Sequence, residues 1–464
     1  MQHTPLVLCL PADVLLNIVS FVADATTLFA WLDALGTAAS RGPLEPLWQL
    51  GRLQAPTTLW PSLRLQKTTM ENAAARVNVE AIVRYFVNSP VQVGWPDALE
   101  WLLRHVRPWI TVYWNARLPL ATVRRAPHDW FSSWAELPLV HVTLTDLSPS
   151  DAVVSTAFYA ALPRCTGLTR LDLAGHLDLR AIFHFAATST KLQALYLSCS
   201  GGGHSQVTTG VLADACHWLA CTRVTMFQFG AWVWADDVDN AARAAFYAAL
   251  FSHKTMETIA LWQCSLPNLE LTTPLGVRKL VLVECSLSPR SVRGLAHAVP
   301  HSALAELAMD DLVRNSPHSG AYLDAFAWLM QALCHSNVAT LSLERCNLGD
   351  MYWPRLAPLL QQIPTLESVN LKGNDIRDTR SAGLLAHAIA AHANLRKVDL
   401  FNNCLDTEGA IALLKCNAGR RSTHPVQEIC LRGYCTDRDD EIWILRPLAK
   451  AQGFSRFNNE PLTD

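Results

Sequence analysis

The chain of 464 residues lacks a charge excess: 38 basic against 40 acidic side chains leave a formal net charge of −2. That balance excludes the strongly basic field of a nucleic-acid surface. Long apolar runs are missing too, and the longest, such as 384–391, are too short to span a bilayer. The first residues carry neither the basic stretch nor the cleavage site of a secretory signal. Lysine is scarce: eight in all, with Lys67 the sole one before Lys191, a bias that fits GC-rich codon usage. No GxxxxGK[ST], GxGxxG or GxSxG motif occurs. Thirteen cysteines is an odd and scattered set, so the expectation is reduced thiols inside the cell, not a disulfide framework.

What the chain has instead is repetition. Val338, Leu341, Leu343, Cys346 and Leu348 occupy positions 1, 4, 6, 9 and 11 of the pattern LxxLxLxx(N/C)xL. Leu366, Val369, Leu371, Asn374 and Ile376 repeat it, and so do Leu395, Val398, Leu400, Asn403 and Leu405. Further copies start at Met256 and Val277, and a shorter one at Leu304. Positions 4 and 6 alternate as in a short strand with its apolar side chains turned inward. At position 9 the chain turns out of the strand, and its buried backbone groups need partners. An Asn amide supplies them, and a small buried thiol fits the same slot, which accounts for Cys264, Cys285 and Cys346 without any chemistry. Segments 381–391 and 407–415 read as helices between strands.

This pattern is the leucine-rich repeat, and starts 28 and 29 residues apart at Val338, Leu366 and Leu395 resemble its ribonuclease-inhibitor class. Weaker copies start at Leu139, Leu168, Leu192 and Cys221, and Val426 closes a series of about eleven. The fold class implied is α/β, a curved parallel sheet with convex helices and a wide concave face, an architecture that mostly binds other proteins.

Near the start, Leu10, Pro11, Val14, Leu15, Ile18 and Phe21 form a helix start followed by apolar residues at helical spacing. A second apolar helix covers 26–35, and Leu47-Trp48 closes the unit. This order resembles the F-box, a small all-α module, although the segment 33–42 departs from the basic and aromatic stretch usual in that family. The resemblance implies docking of those six residues on the Skp-type adaptor of a cullin-based ubiquitin ligase. It implies a non-catalytic receptor whose repeats choose an unidentified target protein. The combination looks like the large F-box and repeat families of water moulds. The alternative is a repeat scaffold, inhibitor or sensor resembling ribonuclease inhibitor, whose N-terminal helices would pack on the first repeats as a cap. A Ran GTPase activator shares the repeat type, but its acidic tail has no match here.

The expected organisation is an F-box-like module over 6–52, a helical, tryptophan-rich linker and cap over 53–135, the solenoid over 136–436, and a cap helix and frayed tail over 437–464. Within the linker, 70–87 reads as one helix with Ala73, Val77, Ala81 and Tyr85 on one face, and the clustered tryptophans read as junction filler.

On the concave face, positions 5 and 7 of the weaker and stronger copies place Tyr196, Phe227, Trp262 and Val283 in an apolar strip beside acidic Asp310 and Glu344. That surface suits a peptide with aliphatic anchors and a basic residue. Two alternatives stay open: a register slip in the Cys221 copy that turns Phe227 inward, and an insertion over 230–239 that folds across the strip. Asp310 and Glu344 lie too open for acid–base chemistry. Cys216, His217 and Cys221, like Cys430 and Cys435, lack a second ligand pair for zinc. His387 and His392 read as solvated. No catalytic residue, metal or cofactor is assigned, and neither nucleic acid nor membrane is expected as a partner.

Overall fold

The computed structural model describes residues 10–87, 89–117, 125–148, 152–199, 205–271, 273–312, 320–418, 420, 425–433 and 441–462. The chain forms two compact units, Met1–Gly201 and Gly202–Asp464.

The first unit opens with four helices, α1 (Ala12–Ser20), α2 (Ala25–Ala34), α3 (Ala38–Arg41) and α4 (Glu45–Gly51). Asp24 starts α2 by accepting the Thr27 N–H at 2.8 Å, and Thr37 starts α3 by accepting that of Ser40 at 3.1 Å. Leu15, Val19, Leu28, Leu32, Leu47 and Leu50 form the core between them. The segment that departs from the F-box pattern ends in a buried cation: Arg41 donates to the Leu32 carbonyl at 3.1 Å, pairs with Glu45 at 3.3 Å and lies 3.7 Å over the Trp48 ring. The helices are joined to the rest of this unit, since α4 packs on the helix Ala73–Ile82 and Trp60 Nε1 donates to the Val22 carbonyl at 2.7 Å.

Six strands succeed the helices, each parallel to the next in chain order: β1 (Leu63–Leu65), β2 (Val91–Val93), β3 (Val112–Trp114), β4 (Leu139–Leu147), β5 (Arg170–Gly175) and β6 (Ala194–Cys199). Three of them lie in the 53–135 segment expected to be a helical linker, which is corrected. Their alternation lasts three residues, and position 9 holds Thr68, Pro96 and Arg117 where Asn or Cys would flag a repeat. The helix expected over 70–87 is corrected as well. Asn72 caps a new helix by accepting the Ala74 and Ala75 N–H groups, and the buried face is Ala75, Val79 and Ile82, with Val77 exposed. Trp114, Trp130 and Trp134 meet edge to face within 6.1 Å and are buried, whereas Trp109 is exposed.

The second unit contains β7 (Ser205–Val207), β8 (Met226–Gly230), β9 (Trp232–Trp234), β10 (Thr258–Trp262), β11 (Lys279–Val283), β12 (Glu306–Asp310), β13 (Thr340–Ser342), β14 (Ser368–Asn370), β15 (Lys397–Asp399), β16 (Glu428–Cys430), β17 (Arg456–Phe457) and β18 (Glu460–Pro461). From β8 to β17, omitting β9, these pair in parallel; β18 turns back antiparallel on β17, and β7 with β9 forms a separate pair. Helices such as Pro289–Ala298, Thr379–Ala391 and Thr407–Leu414 connect successive strands. This is the leucine-rich repeat solenoid fold. The tail expected to fray from 457 onward is instead the β17–β18 hairpin, because Phe457 fills the last core position and is buried.

Position 9 behaves as its chemistry requires. Asn374 is buried; its Oδ1 accepts the Cys346 and Leu348 N–H groups at 2.9 and 3.1 Å, and its Nδ2 donates to the Leu343 and Leu371 carbonyls at 2.7 and 2.9 Å. Asn403 does the same one repeat later, toward Asn374 and Ile376 and the carbonyls of Leu371 and Leu400. Cys264, Cys285 and Cys346 donate their thiols to carbonyls of the preceding strand, but a thiol does not bridge in both directions. A second device precedes position 1: Ser302, Ser336 and His392 accept the N–H of Leu304, Val338 and Leu395. His392 is therefore buried, not solvated; its Nε2 donates to the Ile363 carbonyl at 2.7 Å, while His387 is exposed as expected.

These buried groups set two expectations. Asn374→Ala strands two N–H groups and two carbonyls, so denaturant unfolding should show a loss of about 3–5 kcal/mol, well beyond that of Cys346→Ala. Burial, reinforced by Arg420, holds the His392 imidazole below its ordinary pKa of 6.5. The unfolded chain gains a proton as pH falls through about 6.5 and the native chain does not. The contribution of His392 is thus complete above that pH and declines below it, toward the folded pKa. Comparison of wild type with His392→Gln at pH 7.5 and 5.5 should show the extra acid sensitivity in wild type alone.

Candidate protein-interaction faces

In β10, β11 and β12 the second and fourth residues of each strand point into the core, and the first, third and fifth face outward, which defines the open face of the second unit. Trp262 and Val283 are register partners on that face, with Ala260, Val281 and Ala308 in the adjoining row. Phe227 is not with them. It pairs with Ile259, is 1% exposed and packs on Trp218 and Phe246, so its assignment to the strip is corrected. The repeat starts at Val224, three residues after Cys221, and an odd offset exchanges the two faces of the strand. Gln228 and Gly230 take the outward positions. A Cβ at Gly230 would collide with the Trp262 indole, so the glycine gives that ring its seat. The insertion does not cover the strip: Trp232 stacks on Phe229 in the core, and Trp234 packs toward the helix Asn240–Phe251.

Asp310 and Glu344 lie on the same face but not as open charges. Asp310 Oδ1 accepts the Ser342 hydroxyl at 2.7 Å and the Glu344 N–H at 2.9 Å. Burial, together with Glu344 and Asp311, raises its carboxyl above the ordinary range despite those bonds. Glu344 is paired with Arg345 and Lys372, both at 3.2 Å. Lys279 with Glu306 and Lys397 with Glu428 form similar pairs between neighbouring strands, at 2.7 and 3.2 Å. The acidic strip expected to attract a basic residue is thus largely neutralised from within.

A rim borders these rows at position 8. Ala231, Gln263, Glu284, Asp311, Arg345, Gly373 and Asn402 all have left-handed φ, between 51° and 65°. For residues other than glycine that backbone costs about 1–2 kcal/mol each. Lateral contacts offset part of it: Gln263 donates to Glu284 at 3.0 Å, and Arg345 meets Asp311 at 3.1 Å.

The open face of the first unit holds a cluster that the repeat pattern alone does not reveal. Asp172, buried, accepts from Arg170 Nε on both carboxylate oxygens at 3.0 Å and lies 2.9 Å from His141 Nε2. Burial raises its carboxyl, but the His141 and Arg170 bonds outweigh burial and hold it below the ordinary range. Tyr113 meets the His141 ring edge-on at 5.3 Å, and Tyr196 is the register partner of Asp172. A His at position 3 beside an Asp at position 5 of the next repeat is the signal that marks it.

On α1 the six residues divide. Leu15 is 1% exposed and belongs to the module's core, so it is withdrawn from the adaptor contact. Pro11, Val14 and Phe21 are exposed, Ile18 is half-exposed, and Leu10 precedes them at the surface. Phe21 stands 87% exposed.

Among the described residues no group of three His, Cys, Asp or Glu side chains is placed to hold a metal, and no helix is long and apolar enough to cross a membrane. Cys430 is buried in β16, and Cys435 lies outside the described residues.

The leucine-rich repeat family model matches residues 362–379 and 391–414. No curated protein matches the chain. Among solved structures it is similar to a chain of the yeast Rad7 and Elc1 complex, at 14% identity over 94% of this chain and 98% of that one, with a TM-score of 0.45. It is also similar to the leucine-rich repeat-containing protein LegL7 of Legionella pneumophila, at 16% identity over 68% and 88%, with a TM-score of 0.37.

The corrected register has a direct check. Phe227→Asp should cost more than about 4 kcal/mol by placing an unpaired charge in the core. Gln228→Asp, one residue on, should stay within about 0.5 kcal/mol in the same urea titration.

Proposed function

We propose that the chain is the non-catalytic recognition subunit of a cullin-type ubiquitin ligase. In this reading α1 docks a Skp-type adaptor, and the repeats hold the target for transfer by partner proteins. The observation that carries it is the second apolar face of α1. One face, Leu15 and Val19, is buried within the module. The other, Pro11, Val14, Ile18 and Phe21, follows helical spacing and remains at the surface. A helix that only capped the array would have no need of it, and exposed apolar stripes of this kind mark protein contacts. Trp262 and Val283, with Ala260, Val281 and Ala308, offer the target an apolar patch of about 10 Å across three strands.

A second reading, a repeat scaffold of ribonuclease-inhibitor type without a ligase link, draws on a specific contact. The helical module is fastened to the repeats through α4 and the Trp60 to Val22 bond, as a cap would be.

Capture of the full chain with a purified Skp-type adaptor separates the two. Val14→Ala with Phe21→Ala should weaken capture by more than about tenfold while leaving the unfolding midpoint nearly unchanged. Leu15→Ala should instead destabilise the module by about 2–4 kcal/mol. Absence of adaptor binding by the wild type, or binding indifferent to the double substitution, favours the scaffold.

A further inference from the structure

We infer that the open face of the first unit is a docking surface for an acidic peptide segment of the target protein. This rests on the reading of the repeats as the target-binding part. The register lines up Arg64, Gln92, Tyr113, His141 and Arg170 in one row across β1 to β5. Asp172 is the carboxylate in the adjoining row, and it is held within the unit by Arg170 and His141. Arg64 is exposed and its guanidinium donates to a neutral group, Gln92 Oε1 at 3.3 Å. The rows therefore carry more positive than negative charge, unlike those of the second unit, whose charges are cross-paired.

Beside these rows the strand ends enclose a depression of about 310 Å³, lined by Gly94, Asn115, Arg117 and Thr143 among others. Hydroxyl, amide and guanidinium groups at its wall are donors suited to a carboxylate. Gly94 forms an open part of that wall: a Cβ added there meets nothing within 4 Å, and its φ is not left-handed. Tyr113 stands within the charged row and Tyr196 pairs with Asp172 in the adjoining one, rings with polar hydroxyl ends of a residue type enriched in protein contacts. A carboxylate side chain seated in the depression, with a following acidic residue over Arg64 or Arg170, satisfies the charge of the face without breaking the Asp172 bonds.

The test uses the full chain and three fluorescent nonapeptide pools, neutral except for a central Glu-Glu, Lys-Lys or Ser-Ser pair. The Glu-Glu pool should bind more tightly than Ser-Ser, and Lys-Lys most weakly. The Glu-Glu advantage should shrink as salt rises from about 50 to about 300 mM. Arg64→Glu should reduce Glu-Glu binding about fivefold. Gly94→Leu, whose Cβ meets nothing within 4 Å and whose side chain would occupy the depression, should reduce it about tenfold while the unfolding midpoint holds. Equal binding of the three pools, no measurable binding, or binding unaffected by both substitutions overturns the inference. Adaptor capture by the same preparations, which depends on α1, reports separately on the ligase reading.

Discussion

From β8 to β15 each repeat of the second unit must turn its backbone out of the sheet into a buried corner, and the bonds made at that corner govern the array. Position 8 takes a left-handed conformation, and position 9 supplies the partner for the groups left behind. Asn374 and Asn403 each bind backbone on both sides, so successive repeats are joined by side chains as well as by strand pairing. The cysteine repeats are joined less fully. Their thiols reach the carbonyls of the preceding strand, and between Cys264 and Cys285 the backbone itself completes the corner, with Ser265 and Ser286 in a bridge.

Much of this was legible because position 9 and the alternating positions 4 and 6 carry chemistry that a strand needs. The helix expected over 381–391 is Thr379–Ala391, and the one over 407–415 is Thr407–Leu414. The Cys221 copy misled for a physical reason. Val224, Phe227 and Phe229 are the inward series, but Cys221, Val224 and Met226 satisfy the same apolar pattern three residues earlier. The pairing of Lys279 with Glu306, and of Lys397 with Glu428, is hidden in the sequence because the partners stand a whole repeat apart. Comparing the sign of charge at one position across neighbouring copies exposes them. The strands β1 to β3 stay hidden since three alternating residues without a position-9 signal are too short to distinguish from a loop.

On α1, helical periodicity alone could not assign the faces. Apolar residues occur on both sides, so Leu15 and Val14 are equivalent in a sequence pattern although one is in the core and the other at the surface. What separates them is the turn Gly42–Leu44 on which α1 packs through Leu15, reached from the buried Arg41 that bonds the Leu32 carbonyl of α2. A polar device between helices thereby decides which apolar stripe remains outside.

The apolar patch of the second unit arises where the corner chemistry lapses. At β8, position 9 is occupied by Trp232, whose Nε1 has no hydrogen-bond partner among the described residues. Ala231 turns the chain there with φ of 58°, and the insertion continues into β9 and pairs with β7 instead of crossing the open face. Gly230 ends β8 without a side chain, and the Trp262 indole from the next strand rests upon it. A bulkier residue at 230 would lift that ring from the sheet, and a polar ladder at 231–232 would need the space now filled by Phe229 against Trp232. The irregular repeat thus exchanges internal bonding for an aromatic core below and an apolar seat above. The regular repeats beyond it keep their charges paired, so on this unit the irregularity itself is what seats the outward indole of Trp262 beside Val283.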